Sequence, residues 1–348
     1  MIIFIFILIA LLAAGFTCAK KDEFYPDYLS PKNTAAVNGI FSILIFFSHA
    51  FQYYSMNGVF DQPYIALRGY LGQTVVVTYL FFSGFGLMES IKKKKTDYVK
   101  SIPYHRFFKL WYKFAILVLA FLALRIYIGD KTTIRQALFA FIGYTSLGNS
   151  NWYMLVTFAL YVVIFLAFII FRKNNYLGVA GVFVLTTAFV VLLRKLESPE
   201  YYYNTIFCLP VGMLFSLLKP YIDKLLMKND IFWFGAFAVI GALTFYFGDR
   251  KVNSVVHYSL FSVCFVLLIV VLMMKTNIKS SVLDWFGQHI FSFFMIQRIP
   301  MILFKHWEIT NRPYVFILCS FIATVVLVTA FDRLMEKTDA LLFKSKKK

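Results

Sequence analysis

Long apolar runs of about 17 to 22 residues recur along the whole chain, separated by short polar gaps. A helix of that length, rising about 1.5 Å per residue, crosses a hydrocarbon core of roughly 30 Å. Eleven runs are readable, at about 2–19, 36–55, 70–90, 107–128, 152–171, 177–193, 203–219, 231–248, 256–274, 286–304 and 314–333. The pattern predicts an all-α, polytopic membrane protein of about eleven transmembrane helices. The longest gaps, near 20–35, 91–106 and 129–151, read as loops, and 134–147 (IRQALFAFIGYTSL) reads as a short re-entrant or surface helix. None of them is long enough for a separate soluble domain.

One run carries a polar stripe. At about 100° per residue, Asn38, Ser42, His49, Gln52 and Tyr53 fall within an arc of roughly 100°. A lipid-facing helix has no use for such a stripe, and ionisable groups buried in a membrane tend to mark function. Asn38 and His49 are three turns apart, about 16 Å along one face, and Gly39 lets a neighbouring helix come close. His49 has two readings. A neutral imidazole takes a proton from a hydroxyl and later returns it, because its pKa lies near working pH. Alternatively, the ring is hydrogen-bonded between helices for packing alone.

Other polar positions carry paired readings too. Ser83 and Gly84, in Tyr79-Leu80-Phe81-Phe82-Ser83-Gly84-Phe85-Gly86, permit either tight helix contact or the approach of a cofactor or substrate. Arg106 and Lys109, one turn apart, suit a clamp on the phosphates of a cytosolic ligand, or snorkelling interfacial cations. Trp152 and Tyr153 open a span, as interface anchors or as a platform for a sugar ring. Arg298, with Gln297 beside it, lies well inside its run and needs a partner or a wet cavity. His105, His257, His289 and His306 fall at span ends or in loops, where water solvates them. No H-E-x-x-H, G-x-S-x-G, Walker loop or metal-spaced cluster is present.

Composition agrees with the pattern: 60% hydrophobic, 15% charged, mean hydropathy +0.72. The net charge of +18 would suit a nucleic-acid partner, but topology accounts for it better, and no nucleic acid is expected. With a cytoplasmic C-terminus and alternating spans, twenty Lys and Arg fall inside and nine outside, leaving aside 20–35 and the in-span Lys113, Arg125 and Arg298. That is the positive-inside bias, and Lys92 to Lys95 read as an orientation signal near anionic lipid. Cys18, Cys208, Cys264 and Cys319 lie in or beside spans with no C-x-x-C pair, as small packing residues do. Residues 1–19 look like a signal peptide, yet the basic Lys20 and Lys21 follow the run instead of preceding it. This favours an uncleaved anchor over cleavage after Thr17-Cys18-Ala19.

Several fragments stand in a familiar order: Asn38-Gly39-Ile40 with Phe46-Phe47-Ser48-His49, then Phe81 to Phe85, Arg106-Phe107-Phe108-Lys109, Trp152-Tyr153, Phe286-Gly287 through Met295, and Phe331 to Lys337. Together they resemble the acyltransferase 3 family of bacterial membrane enzymes, over about residues 33–340. The resemblance implies a ten-helix core in 33–340, preceded by an N-terminal anchor span and short loop (1–32) and followed by a basic cytoplasmic tail (341–348). It implies transfer of an acyl group, often acetyl, from cytoplasmic acyl-CoA to a hydroxyl of an envelope glycan or its lipid-linked precursor, in the bacterial plasma membrane. Acyl-CoA is then a co-substrate, with no bound cofactor or metal, and the partners are the bilayer and the glycan acceptor.

The family's essential histidine falls on His49, and its basic pair falls on Arg106 and Lys109 as donor contacts. Asn38 stands where the family carries Arg or Lys, and Gln297 where it carries His, with Arg298 adjacent as a substitute cation. The expected catalytic set is therefore His49, Asn38 and Arg298. Arg106, Lys109, Ser83 and Gly84 are expected on the donor side, and Trp152, Tyr153, Gln52 and Tyr53 on the acceptor side. The alternatives are a transporter or flippase for a lipid-linked sugar, and a catalytically inactive relative.

Overall fold

The computed structural model describes residues 2–13, 15–54 and 58–343. The basic tail expected at 341–348 therefore lies, from Lys344 onward, outside the described residues. In chain order the main elements are α1 (Ile2–Ala13), β1 (Phe16–Cys18), α2 (Pro31–Ala50), α3 (Gln62–Leu71), α4 (Val77–Ile102), α5 (Lys109–Tyr127), α6 (Ile134–Ala140), α7 (Asn151–Ile170), α8 (Asn175–Lys195), α9 (Cys208–Leu226), α10 (Asp230–Arg250), α11 (Val255–Lys275), β2 (Thr276–Ile278), α12 (Ser281–Gln288), α13 (Ile290–Ile296), α14 (Arg298–His306) and α15 (Pro313–Leu342). Among the described residues, seven helical stretches are long and apolar enough to cross a membrane, and one of them, 59–127, contains both α4 and α5. The protein is a helical, multi-pass membrane protein.

The structure differs from the run-by-run expectation in five places, and each has a local cause. The first run is a helix of only 12 residues, about 18 Å long, which falls short of a hydrocarbon core. Its end is instead strand β1, paired antiparallel with β2 so that Thr17 faces Asn277. A Cβ on Gly15 would lie 2.3 Å from the Lys279 carbonyl oxygen, so only glycine fits there. The gap 91–106 is helical: α4 runs to Ile102, and a π-helical turn over Pro103–Phe108 leads into α5. Run 203–219 is shifted into α9, whose lower half carries Lys219, Pro220, Asp223 and Lys224. Run 286–304 is three short helices. Pro300 has no N–H to give the Ile296 carbonyl, so the ladder fails at Gln297. Finally, Gln52 and Tyr53 lie beyond the end of α2, in a turn closed by Gln52 N–H to the His49 carbonyl at 3.0 Å. The short helix foreseen within 134–147 is α6, opened by a capping box in which Thr133 and Gln136 exchange hydrogen bonds.

The chain divides into two compact units. The first comprises 1–41, 59–100 and 163–288, and the second 42–58, 101–162 and 289–348. In the first unit, two helix pairs meet backbone to backbone. A Cβ on Gly39 of α2 would lie 2.0 Å from the Leu283 carbonyl oxygen of α12, and one on Gly287 of α12 would lie 1.8 Å from that of Ala35. Likewise a Cβ on Gly84 of α4 would lie 2.0 Å from the Leu209 carbonyl oxygen, and one on Gly212 of α9 would lie 2.1 Å from that of Phe81. These are small-residue crossings, in which the absent side chains bring the helices together.

Polar contacts gather the loops of this unit by end. At one end Lys275 pairs with Asp230 and donates to the Lys20 carbonyl at 2.8 Å, while Tyr28 donates to Asp223 at 2.8 Å. Burial first, and then the Asp223 charge, push the Tyr28 hydroxyl well above the ordinary tyrosine range. At the other end Lys251 donates to the Gly69 and Tyr70 carbonyls. Burial lowers the pKa of Lys251. In the second unit the core is aromatic: Phe46 packs edge-on against Phe321 at 5.1 Å and also touches Phe293 at 6.0 Å.

Candidate functional site

His49 sits on the last turn of α2, within the second unit, and is half-buried. Its Nε2 faces the Ser150 hydroxyl at 3.5 Å, with the donor set by the ring tautomer. Ser150 is held by a tight turn leading into α7. Ser146 donates to the Asn149 carbonyl at 2.8 Å, and Leu147 N–H donates to the Asn149 side chain at 3.1 Å. Gly148 takes φ +104, and a Cβ there would meet Ile302 of α14 at 2.7 Å. Asn149, Ser150 and Asn151 are all buried, and Asn151 donates to the Gly143 carbonyl at 2.7 Å. This polar triplet just before Trp152-Tyr153 was the available signal for Ser150, which sequence reasoning passed over.

Phe294 of α13 is the shared wall. It lies 5.7 Å from the His49 ring and 5.3 Å from Tyr153, which in turn meets Trp152 edge-on at 5.7 Å. One turn further on, the helix is broken between Ile296 and Arg298. The Gln297 side-chain amide donates to the Phe294 carbonyl at 3.1 Å, replacing the backbone donor that an unbroken helix would supply. Gln297 is fully buried. Its Oε1 and the Nε of Arg298 have no hydrogen-bond partner among the described residues. Arg298 Nη2 donates to Gln52 at 2.8 Å, and the guanidinium also faces the Tyr53 hydroxyl. His49, Gln52, Tyr53, Trp152, Tyr153 and Arg298 thus gather in one unit around Ser150, Phe294 and Gln297.

The remaining expected residues have other surroundings. Asn38 is buried in the first unit, and its carbonyl accepts from Tyr79 at 3.4 Å. Gly84 is filled by the Leu209 carbonyl of α9, while Ser83 lies on the exposed side of α4. Arg106 is exposed on the π-helical turn. Lys109 is 3.0 Å from Asp339 of α15, which also takes Lys113 at 2.9 Å and the Tyr112 hydroxyl. Lys109 is therefore half of an internal ion pair before any ligand arrives.

His289, expected to be solvated, pairs through Nδ1 with Asp332, which also accepts from Ser292. This cluster ties α13 to α15 and was legible only as separate residues forty or more positions apart.

Chemically, the His49 cluster offers a proton acceptor, a cation with a free N–H, and an aromatic wall. That set suits attack by a hydroxyl on a carbonyl: the imidazole takes the proton and the guanidinium meets the oxyanion. Across known proteins, a family model described as an acyltransferase domain, Acyl_transf_3, matches residues 36–333. No curated protein and no solved structure gives a significant match.

Proposed function

Because the chain belongs to the acyltransferase 3 family, we propose that it is a membrane O-acyltransferase moving an acyl group, acetyl foremost, from cytoplasmic acyl-CoA to a hydroxyl of an envelope glycan or its lipid-linked precursor. The observation that carries the reading is the polar cluster around His49, with Ser150 at 3.5 Å and the Arg298–Gln52 pair one turn beyond α2. In the mechanism, His49 removes the acceptor's hydroxyl proton as the oxygen attacks the thioester carbonyl. Ser150 fixes the ring orientation through Nε2. Arg298, at the helix break, stabilises the tetrahedral oxyanion. CoA thiolate then leaves and takes the proton back from the imidazolium. Trp152, Tyr153, Gln52 and Tyr53 face the acceptor, while Arg106 faces the donor phosphates. Lys109 joins Arg106 there only by exchanging Asp339 for a phosphate.

The family resemblance suggests a bacterial plasma membrane, and the positive-inside bias supports an orientation with the Lys-rich segment 92–109 and the C-terminus cytoplasmic. A transporter reading draws support from the same broken helix at Gln297, since interrupted helices line substrate paths. One experiment separates the two. Membranes carrying the wild type transfer label from radiolabelled acetyl-CoA to envelope glycan, and His49→Ala abolishes the transfer while the protein still accumulates. Labelling at the wild-type rate in the variant refutes the assigned base.

A further inference from the structure

Within the first unit, a cavity of about 320 Å³ is lined by Ile91, Lys92, Lys95, Thr96, Val99 and Phe168 together with Arg172, Lys173 and Asn175. Four cations from two separate parts of the chain converge on it: Lys92 and Lys95 from α4, and Arg172 and Lys173 from the turn between α7 and α8. Among the described residues only Lys92 is ion-paired, to Glu89, and its ammonium is further fixed by the Ser216 carbonyl at 3.0 Å. Lys95, Arg172 and Lys173 are exposed, line the cavity, and have no ion pair among the described residues.

The backbone here is built for a purpose that an orientation signal does not require. Lys95 has φ +49 and ψ −136 at a kink where two helical stretches of α4 meet, a conformation that ordinarily calls for glycine. A topogenic run needs charge at any position and no particular backbone. Strain of this kind is kept where a side chain must be aimed, as at ligand clamps. The aim is selective: Lys92 and Lys95 line the cavity, and Lys93 and Lys94 do not. Asn175, the first residue of α8, adds the positive end of a 21-residue helix to the same wall. Thr96 and Asn175 supply neutral hydrogen bonds, and the volume is at the low end of ligand sites, enough for a phosphate pair with a small attached group.

We propose that this pocket is an anion site for a ligand bearing two phosphates, held by Lys95, Arg172 and Lys173, with Lys92 pre-positioned by Glu89 and Ser216. Two sources share that chemistry: the diphosphate end of coenzyme A, and the paired phosphates of a diphosphatidyl (cardiolipin) headgroup. The nucleotide source rests on the acyl-CoA reading above; the anion site does not.

The test uses the full-length protein in neutral detergent, with inorganic pyrophosphate as the calorimetric probe at low ionic strength. Pyrophosphate should bind, and added salt should weaken it. Lys95→Ala/Arg172→Ala should weaken it about tenfold or more, the loss expected when charge-assisted hydrogen bonds are removed. Lys93→Ala/Lys94→Ala removes the same charge from the same segment and should change the affinity less than about twofold. Lys95→Arg/Arg172→Lys, which keeps the charge, should retain most of the binding and guards against a folding defect. Equal losses in the two alanine pairs, or no loss in either, would overturn the site. Competition then names the source: displacement by coenzyme A assigns the nucleotide, and displacement by cardiolipin in nanodiscs assigns the lipid. If neither displaces pyrophosphate, the proposal fails. Loss of transferase activity elsewhere leaves pyrophosphate and lipid binding untouched, so the two readings fail separately.

Discussion

Arg298 is the residue whose surroundings say most about its task. Its Nη2 is spent on Gln52, yet its Nε stays without a partner among the described residues, next to the equally unpartnered Oε1 of buried Gln297. Leaving two such groups unsatisfied costs on the order of 1–3 kcal/mol each, which a substrate carbonyl and hydroxyl would recover. If the guanidinium stabilises the oxyanion, its effect is confined to the transition state. Arg298→Leu should then lower kcat by about 10²–10³ with KM little changed, and Arg298→Lys should recover part of the loss. A rise in KM at constant kcat would place Arg298 in ground-state binding instead. From sequence, the depth of Arg298 in its run was readable, and so was the stripe ending in His49. The Ser150 contact was not, because it joins residues 101 positions apart that share no periodic pattern.

The elements divide into those that periodicity reveals and those that a single residue redirects. Helices α7, α8, α10 and α11 stand close to their apolar runs, since nothing in them competes with the 3.6-residue period. Run 286–304 has the same composition, yet Pro300 breaks it, and the break falls at Gln297 and Arg298. The proline was visible in the sequence; its effect on a neighbouring turn was not weighed. Glycines act at the same scale. Gly287 and Gly39 hold α12 on α2, with a Cβ at Gly287 falling 1.8 Å from the Ala35 carbonyl. Backbone cannot yield to that as a flexible side chain would, so Gly287→Leu should cost more than the roughly 1–3 kcal/mol of ordinary overpacking. The measurement is thermal stability in detergent beside Gly235→Leu, where a Cβ meets nothing within 4 Å. Equal melting temperatures for the two variants would show that the crossing is not a fixed contact.

At the scale of the molecule, length, hydropathy and charge distribution were enough for the class, while the family, whose model spans 36–333, was legible only in the order of short motifs. Composition and charge were not enough for the number of membrane crossings, because short helices such as α1 and α12 to α14 keep the apolar composition of a span without its length, while α9 has the length but carries Lys219, Asp223 and Lys224. The loop contacts within the first unit set Lys20, Asp230 and Lys275 at one end and Gly69, Tyr70 and Lys251 at the other. With native cysteines replaced, a cysteine at Lys279 should react with a membrane-impermeant maleimide only in inside-out vesicles, and one at Lys251 only in intact cells. The reverse pattern would invert the orientation. The proposed acyl transfer requires His49 as its general base. The most direct measurement is acyl transfer from acetyl-CoA to isolated envelope glycan by purified protein in proteoliposomes, comparing wild type, His49→Ala and His257→Ala per mole of folded protein. Loss of about 10²–10⁴-fold in His49→Ala alone is the result expected of a general base. Undiminished transfer by folded His49→Ala would contradict it.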